Sequence, residues 1–133
     1  MKIVSAGLIM YQNKLLIAQR KRGKSLEYKW EFPGGKLEEG ESLEECLHRE
    51  LMEEFHMDSK VKDFFMESRY EYPDFSISLN AFWVEAPSDK IEYMDSHEQI
   101  KWINPLDVDS YDFAAADKPI LNALVEYFKQ NKR

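Results

Sequence analysis

Residues 42–57 carry an acidic and an apolar pattern that only one local fold satisfies. Ser42-Leu-Glu-Glu45 has the form of a capping box, which starts a helix. Leu47, Leu51 and Phe55 follow at intervals of four, giving one apolar stripe that must be covered by something else. At about 100° per residue, Glu53 lies roughly 60° to one side of Glu50 and Glu54 roughly 40° to the other. The three carboxylates therefore project within an arc of about 100° beside the apolar stripe. The spacing predicts a helix over 42–56 that packs one edge on a sheet and turns an acidic edge to a cleft.

Like charges three or four apart destabilise a helix by roughly 0.2–0.5 kcal/mol per pair. A bound cation reverses that sign. A hard divalent ion with oxygen ligands and a few carboxylates suits the arc, and such an ion commonly shares its remaining positions with substrate phosphates. Arg49, at helical spacing from Glu45 and Glu53, is placed to brace a carboxylate. A plain solvated acidic face is the alternative. The fixed order of Gly34-Gly35, Glu41 and Arg49-Glu50-x-x-Glu53-Glu54 favours the metal reading.

The stretch from Gly35 to Met57 resembles the Nudix box, G-x5-E-x7-R-E-U-x-E-E-x-G-U with U a bulky aliphatic residue. Every fixed position matches except the late glycine, which is His56. That glycine would end the helix in a left-handed conformation, which histidine tolerates less well. Trp30-Glu-Phe-Pro-Gly-Gly-Lys36, Tyr70-Glu-Tyr-Pro-Asp74 and Ala116-Asp-Lys-Pro-Ile120 are similar to the MutT branch. The resemblance implies an α/β fold, a Nudix-type α/β/α sandwich with a mixed sheet between helices, formed by one domain over residues 1–133. Periodicity alone supports only a mixture of helix and strand.

Residues 2–11 and 14–20 read as a hairpin around Gln12-Asn13, Trp30–Phe32 as a short strand, and Pro33-Gly34-Gly35 as a turn with close backbone approach and unusual dihedrals. Residues 60–71 and 75–86 are further strands. In the second, Phe75, Ile77, Leu79 and Ala81 alternate with Ser76, Ser78 and Asn80, which suggests a wetter face. Residues 98–104 make a last strand, Pro105 opens a helical turn, and a helix runs from Asp117-Lys-Pro119 to about residue 130 with Ile120, Leu121, Leu124, Val125 and Phe128 inward.

The resemblance implies hydrolysis of a nucleoside diphosphate linked to a further group. In the MutT branch this turns a nucleoside triphosphate into a monophosphate and pyrophosphate, with Mg²⁺ as cofactor and Mn²⁺ as substitute. It assigns Glu50, Glu53, Glu54 and the Gly35 carbonyl to the metal, Arg49 to bracing, and Glu41 to the loop or a bridging water. Glu53 and Glu98 are both candidates for general base. His48, His56 and His97 share no ligand spacing and are expected at the surface or in loops.

Arg20, Phe32, Phe75 and Asp117 align with positions on the substrate side. Phe32 is a stacking platform or a core residue. Asp117 is a base contact or a helix cap. Bacterial 8-oxoguanine specialists carry asparagine there. An ionised carboxylate only accepts hydrogen bonds, which suits the amino group of cytosine or adenine, whereas a protonated one also suits 8-oxoguanine. The basic run Arg20–Lys24 is a solvated loop or a phosphate contact. Substrates in view are cytidine-type or 8-oxo-dGTP nucleotides. Alternatives are a sugar, dinucleotide or RNA 5′-end conjugate, or a non-catalytic nucleotide sensor.

A net charge of −7 over 133 residues argues against a polymeric nucleic acid partner. A lone cysteine, Cys46, excludes an internal disulfide and reads as a small buried hydrophobe. The start Met-Lys-Ile-Val-Ser has no charged-then-apolar leader, and no apolar run is long enough for a bilayer. A cytoplasmic protein, monomeric or homodimeric and away from membranes, is the expectation.

Overall fold

The computed structural model describes residues 1–131; the last two residues of the expected 1–133 domain lie outside it. Strand β1 (Lys2–Tyr11) turns into β2 (Lys14–Arg20) through Gln12 and Asn13, both left-handed at φ 47° and 67°. That pair of positive angles matches the strand twist in a two-residue hairpin. β3 (Trp30–Glu31), β4 (Gly34–Lys36), helix α1 (Leu43–Phe55), β5 (Lys60–Glu71), β6 (Ser76–Glu85), β7 (His97–Ile103) and helix α2 (Lys118–Gln130) follow, with 3₁₀ turns at Pro105–Ser110 and Ala115–Asp117.

The sheet runs β3-β2-β1-β6-β5, with β4 also on β1 and β7 also on β2. β1 and β6 are parallel while the other pairs are antiparallel, so the sheet is mixed. Strand alternation divides the core. Ala6, Leu8, Leu15, Ile17, Leu79 and Ala81 meet Ile120, Leu121 and Leu124 of α2. Ile9, Leu16, Phe82 and Val84 meet Leu47, Leu51 and Phe55 of α1. The expected sandwich is present. No described helix is long and apolar enough to cross a membrane.

Three local expectations are corrected, and a fourth question is settled. Gly34–Lys36 is not a turn but a strand on β1. A Cβ on Gly34 would lie 1.9 Å from the Ser5 carbonyl oxygen, and one on Gly35 2.1 Å from the Glu50 carboxylate, so both glycines serve close approach. Positive φ among glycines falls at Gly23 and Gly40 instead. Ser78 and Asn80 are not on a wet face. Both are buried, and Asn80 donates to the Val4 carbonyl at 3.3 Å. Glu45 does not meet Arg49, because its carboxylate closes the capping box on the Ser42 N–H at 2.8 Å. His56 keeps the helix end that the missing glycine put in question. It adopts φ 53°, ψ 35°, caps the Leu51 and Met52 carbonyls, and stacks on Tyr93 at 3.8 Å.

Candidate active site

Helix α1 presents its carboxylates already spoken for. Arg49 is the hub of one group. Its Nε donates to Glu41 Oε2 at 2.5 Å, its Nη2 to Glu41 Oε1 at 3.0 Å and to the Lys36 carbonyl at 3.1 Å. Its Nη1 reaches Glu50 at 3.3 Å and both oxygens of Glu53 at 3.2 Å. The hydrogen bond from Arg49 holds the Glu41 carboxyl below its usual range, and the same bond raises the guanidinium pKa. Glu41 also accepts the Glu38 N–H at 2.9 Å, so it orients the loop before the helix. Burial, then the charge of Glu53, pushes the Glu50 carboxyl up. A half-buried carboxylate in that state gains most from an added cation.

Glu54 belongs to a second group. Its Oε2 accepts the Ser96 N–H at 2.8 Å and its Oε1 the Ser96 hydroxyl at 2.5 Å. His97 Nδ1 lies 3.1 Å from Oε2, off the line of an N–H bond, so this contact is an ion pair. Burial works against the Glu54 charge, but His97 and Ser96 outweigh it and bring its pKa to about 2. Burial also opposes charge on His97, yet Glu31 and Glu54 carry its pKa up to about 9. The expectation of a surface or loop position for His97 is therefore overturned: it is 6% exposed between two carboxylates. His48 and His56 are partly or fully exposed as expected.

Beside this helix lies a cavity of about 200 Å³ lined by Arg20, Glu31, Phe32, Gly34, Gly35, Tyr72, Phe75 and Asp117 among others. Arg20, Glu31 and Gly34 also line a smaller cleft of about 120 Å³ with Lys21, Lys24, Ser96 and His97. The two spaces adjoin through shared walls. Asp117 does not cap α2. Its side chain makes no cap bond, and its Oδ2 accepts the Phe32 N–H at 3.0 Å. Full burial, then the charge of Glu31, raises its pKa well above the ordinary value, a shift toward the protonated of the two forms considered for this side chain. Phe32 is a core residue, 3% exposed with its ring 5.1 Å from Phe113. Phe75 stands 5.0 Å from the Tyr72 ring under the Lys2 ammonium.

Glu98 is exposed and takes no part in these hydrogen bonds and ion pairs. It is the extra residue of a bulge opposite Gln19 and Arg20. Sequence reasoning did not single out Glu31, Tyr72, Ser96 or His97. Tyr72 accepts the Ala116 N–H at 2.9 Å and so fixes the segment that carries Asp117. Only its place in the Tyr70–Asp74 motif pointed to it. Cys46 is buried as expected, its thiol 3.5 Å from the Gly35 carbonyl and pushed by burial to about 11.

The profile of the NUDIX domain family matches residues 5–123. This chain is a Nudix hydrolase. It is 32% identical over 122 residues to the CTP pyrophosphohydrolase of Escherichia coli K12, covering 92% of this chain and 90% of that protein. It is 30% identical to the 8-oxo-dGTP diphosphatase of the same organism, covering 91% and 94%. The solution structure of MutT from methicillin-resistant Staphylococcus aureus 252 superposes with a TM-score of 0.74 at 31% identity, covering 95% and 98%. The hydrolase is thus MutT-like.

Nudix hydrolases generally use divalent metal ions, and the donor chemistry here fits one. The available groups are oxygens, Gly35 gives the Glu50 carboxylate room that any Cβ would fill, and Glu50 is held short of full charge compensation. Among the described residues, no three such side chains yet converge on one point. Arg49 holds one set and Ser96 with His97 the other.

Proposed function

We propose that this hydrolase converts nucleoside triphosphates to nucleoside monophosphates and pyrophosphate, with Mg²⁺ as cofactor and Mn²⁺ as substitute. Residues 1–133 would act as one domain. The observation that carries the reading is the shared wall of Gly34, Arg20 and Glu31, with the buried Asp117 lining the larger space and Gly35, in the same lining, set against the Glu50 carboxylate of α1. Glu50, Glu53, Glu54 and the Gly35 carbonyl would hold the ion. When bound, it supplies charge neutralisation at the phosphates and lowers the pKa of an attacking water.

The chain's own residues do the rest. Arg49 keeps Glu50 and Glu53 aimed along one side of α1. Glu53 is the most open of the four carboxylates around Arg49's short contacts and Glu54, so it serves as ligand or proton acceptor, with Glu98 as the second candidate base. Arg20, tied to Glu31 at 3.0 Å, lines both spaces and would meet a phosphate that passes between them.

A neutral carboxyl offers one donor and one acceptor side by side. Cytosine presents its N4 amino donor next to the N3 acceptor, and 8-oxoguanine presents an N7–H next to O6. Unmodified guanine offers two acceptors, N7 and O6, along that same edge. Adenine also sets its N6 amino donor beside a ring acceptor, so the carboxyl alone does not choose the base; cytidine and 8-oxoguanosine triphosphates are the proposed substrates because these are the activities named for the two E. coli relatives. A panel of canonical and oxidised nucleoside triphosphates together with nucleotide sugars and dinucleotides, scored by kcat/KM for nucleoside monophosphate formation, tests this. Either nucleotide at the head of the ranking supports it. Preference for a nucleotide sugar or dinucleotide overturns it.

A further inference from the structure

We propose that His97 is a positioning residue, a strut that sets the orientation of Glu54 by pinning it to Glu31 across a buried ring. The inference rests on the hydrolase reading of the same site and goes beyond its ligand set.

Three elements meet at this ring. Glu31 ends β3, Glu54 lies in the last turn of α1, and His97 is the first residue of β7. Nε2 stands 2.8 Å from Glu31 Oε2 and Nδ1 3.1 Å from Glu54 Oε2. The Phe55 ring stacks on the imidazole at 6.0 Å and 19°, which fixes the plane of the ring and hence both nitrogen directions. Ser96 holds Glu54 through its N–H and hydroxyl, and the ring meets the same Oε2 from β7, so Ser96 and His97 together grip the carboxylate. At the far end, Arg20 Nη1 donates to the other oxygen of Glu31 at 3.0 Å.

The row Arg20–Glu31–His97–Glu54 alternates nitrogen-bearing side chains with carboxylates from the larger cavity to the acidic face of α1. Its inner members are mostly buried, with side chains 6%, 11% and 20% exposed for His97, Glu54 and Glu31. Two carboxylates at those positions repel each other unless a donor stands between them, so the ring is what allows both to be buried there. A carboxylate ordered in advance loses less side-chain freedom when it takes up an ion. Partners behind a ligand in this manner typically change metal affinity or activity by roughly 10–100-fold.

The test uses the full chain with His97→Gln, His97→Leu, Glu31→Gln and the double variant Glu31→Gln/His97→Gln. Mn²⁺ affinity is read by electron paramagnetic resonance without nucleotide, beside kcat, KM and the thermal midpoint. The strut requires Mn²⁺ affinity to fall by roughly 10–100-fold in His97→Leu, with kcat falling and KM for the nucleotide within about threefold of wild type. His97→Gln recovers part of the loss, because its amide still donates to one carboxylate. The double variant is no worse than His97→Gln by more than about twofold, since both changes break one unit. Glu31→Gln leaves the ring in place and carries the test if His97→Leu does not fold. A lower thermal midpoint with wild-type Mn²⁺ affinity and kcat in His97→Gln and Glu31→Gln overturns the strut alone. A folded wild-type chain that binds no Mn²⁺ and releases no pyrophosphate overturns the hydrolase reading, and the strut with it.

Discussion

Arg49 grips Glu41 with two nitrogens, Nε at 2.5 Å and Nη2 at 3.0 Å, and thereby ties the loop ahead of α1 to the middle of the helix. The fork geometry is specific to a guanidinium, because lysine supplies one compact charge and no parallel pair of donors. Arg49 spends its remaining Nη1 on Glu50 and Glu53, so one side chain sets three carboxylates. Arg49→Lys is expected to lower kcat by roughly 10–100-fold while the circular dichroism of the fold is retained. Unchanged kcat in pyrophosphate release would show that the bracing has no catalytic consequence.

Glu53→Gln is expected to reduce turnover by about 10²–10⁴-fold, the range for loss of a positioned base or ligand. Its side chain is 59% exposed, so the thermal midpoint should move little. Steady-state assays with Mg²⁺ and differential scanning fluorimetry separate the two effects.

Asp117 links stability to pH. Its folded pKa is raised well above 3.8, so the folded state holds a proton that the unfolded chain releases. Its contribution is fully present below the unfolded pKa and is lost as pH rises toward the folded value. Asp117→Asn keeps an acceptor for the Phe32 N–H and removes that titration. The variant should show a flatter dependence of thermal midpoint on pH above 4 and a gain over wild type at neutral pH. Parallel pH curves for the two proteins would contradict the raised pKa of Asp117.

Ser42 accepts the Glu45 N–H at 3.0 Å while Glu45 accepts the Ser42 N–H, so both halves of the capping box are formed. Ser42→Ala should cost about 1 kcal/mol of stability. Urea denaturation reads this as a lower midpoint at constant slope. Catalysis should follow the helix, with kcat changing less than stability.

Removing divalent ions with a chelator should abolish pyrophosphate release and leave the fold intact, because the carboxylates are already paired with Arg49, Ser96 and His97. Far-ultraviolet circular dichroism before and after chelation checks the second half. Collapse of the helical signal would mean that the ion is structural.

The box helix was legible because its signals are local. Ser42 and Glu45 meet within one turn, and Leu47, Leu51 and Phe55 recur at the helical period. The hairpin at Gln12-Asn13 and the opening of α2 at Pro119 are likewise decided by neighbours in the chain. The sandwich itself came from resemblance to the Nudix family, since periodicity leaves strand order open. Gly34 has the local character of a turn, and nothing near it in the chain announces that it will lie against Ser5 on another strand.

Charge identity along residues 41–54 is written in the sequence, and with it the acidic arc and its partner Arg49. Which of those charges is free or shared was decided by residues brought together from far apart, as Glu54 is held by Ser96 and His97. The reason is that desolvation and pairing act through space. The chain leaves the charge state of Asp117 open, and the fold raises its pKa, because burial penalises the charge and the Glu31 carboxylate repels it. His97 reads as a loop residue and becomes a buried bridge, because β3 and α1 place a carboxylate on each side of its ring.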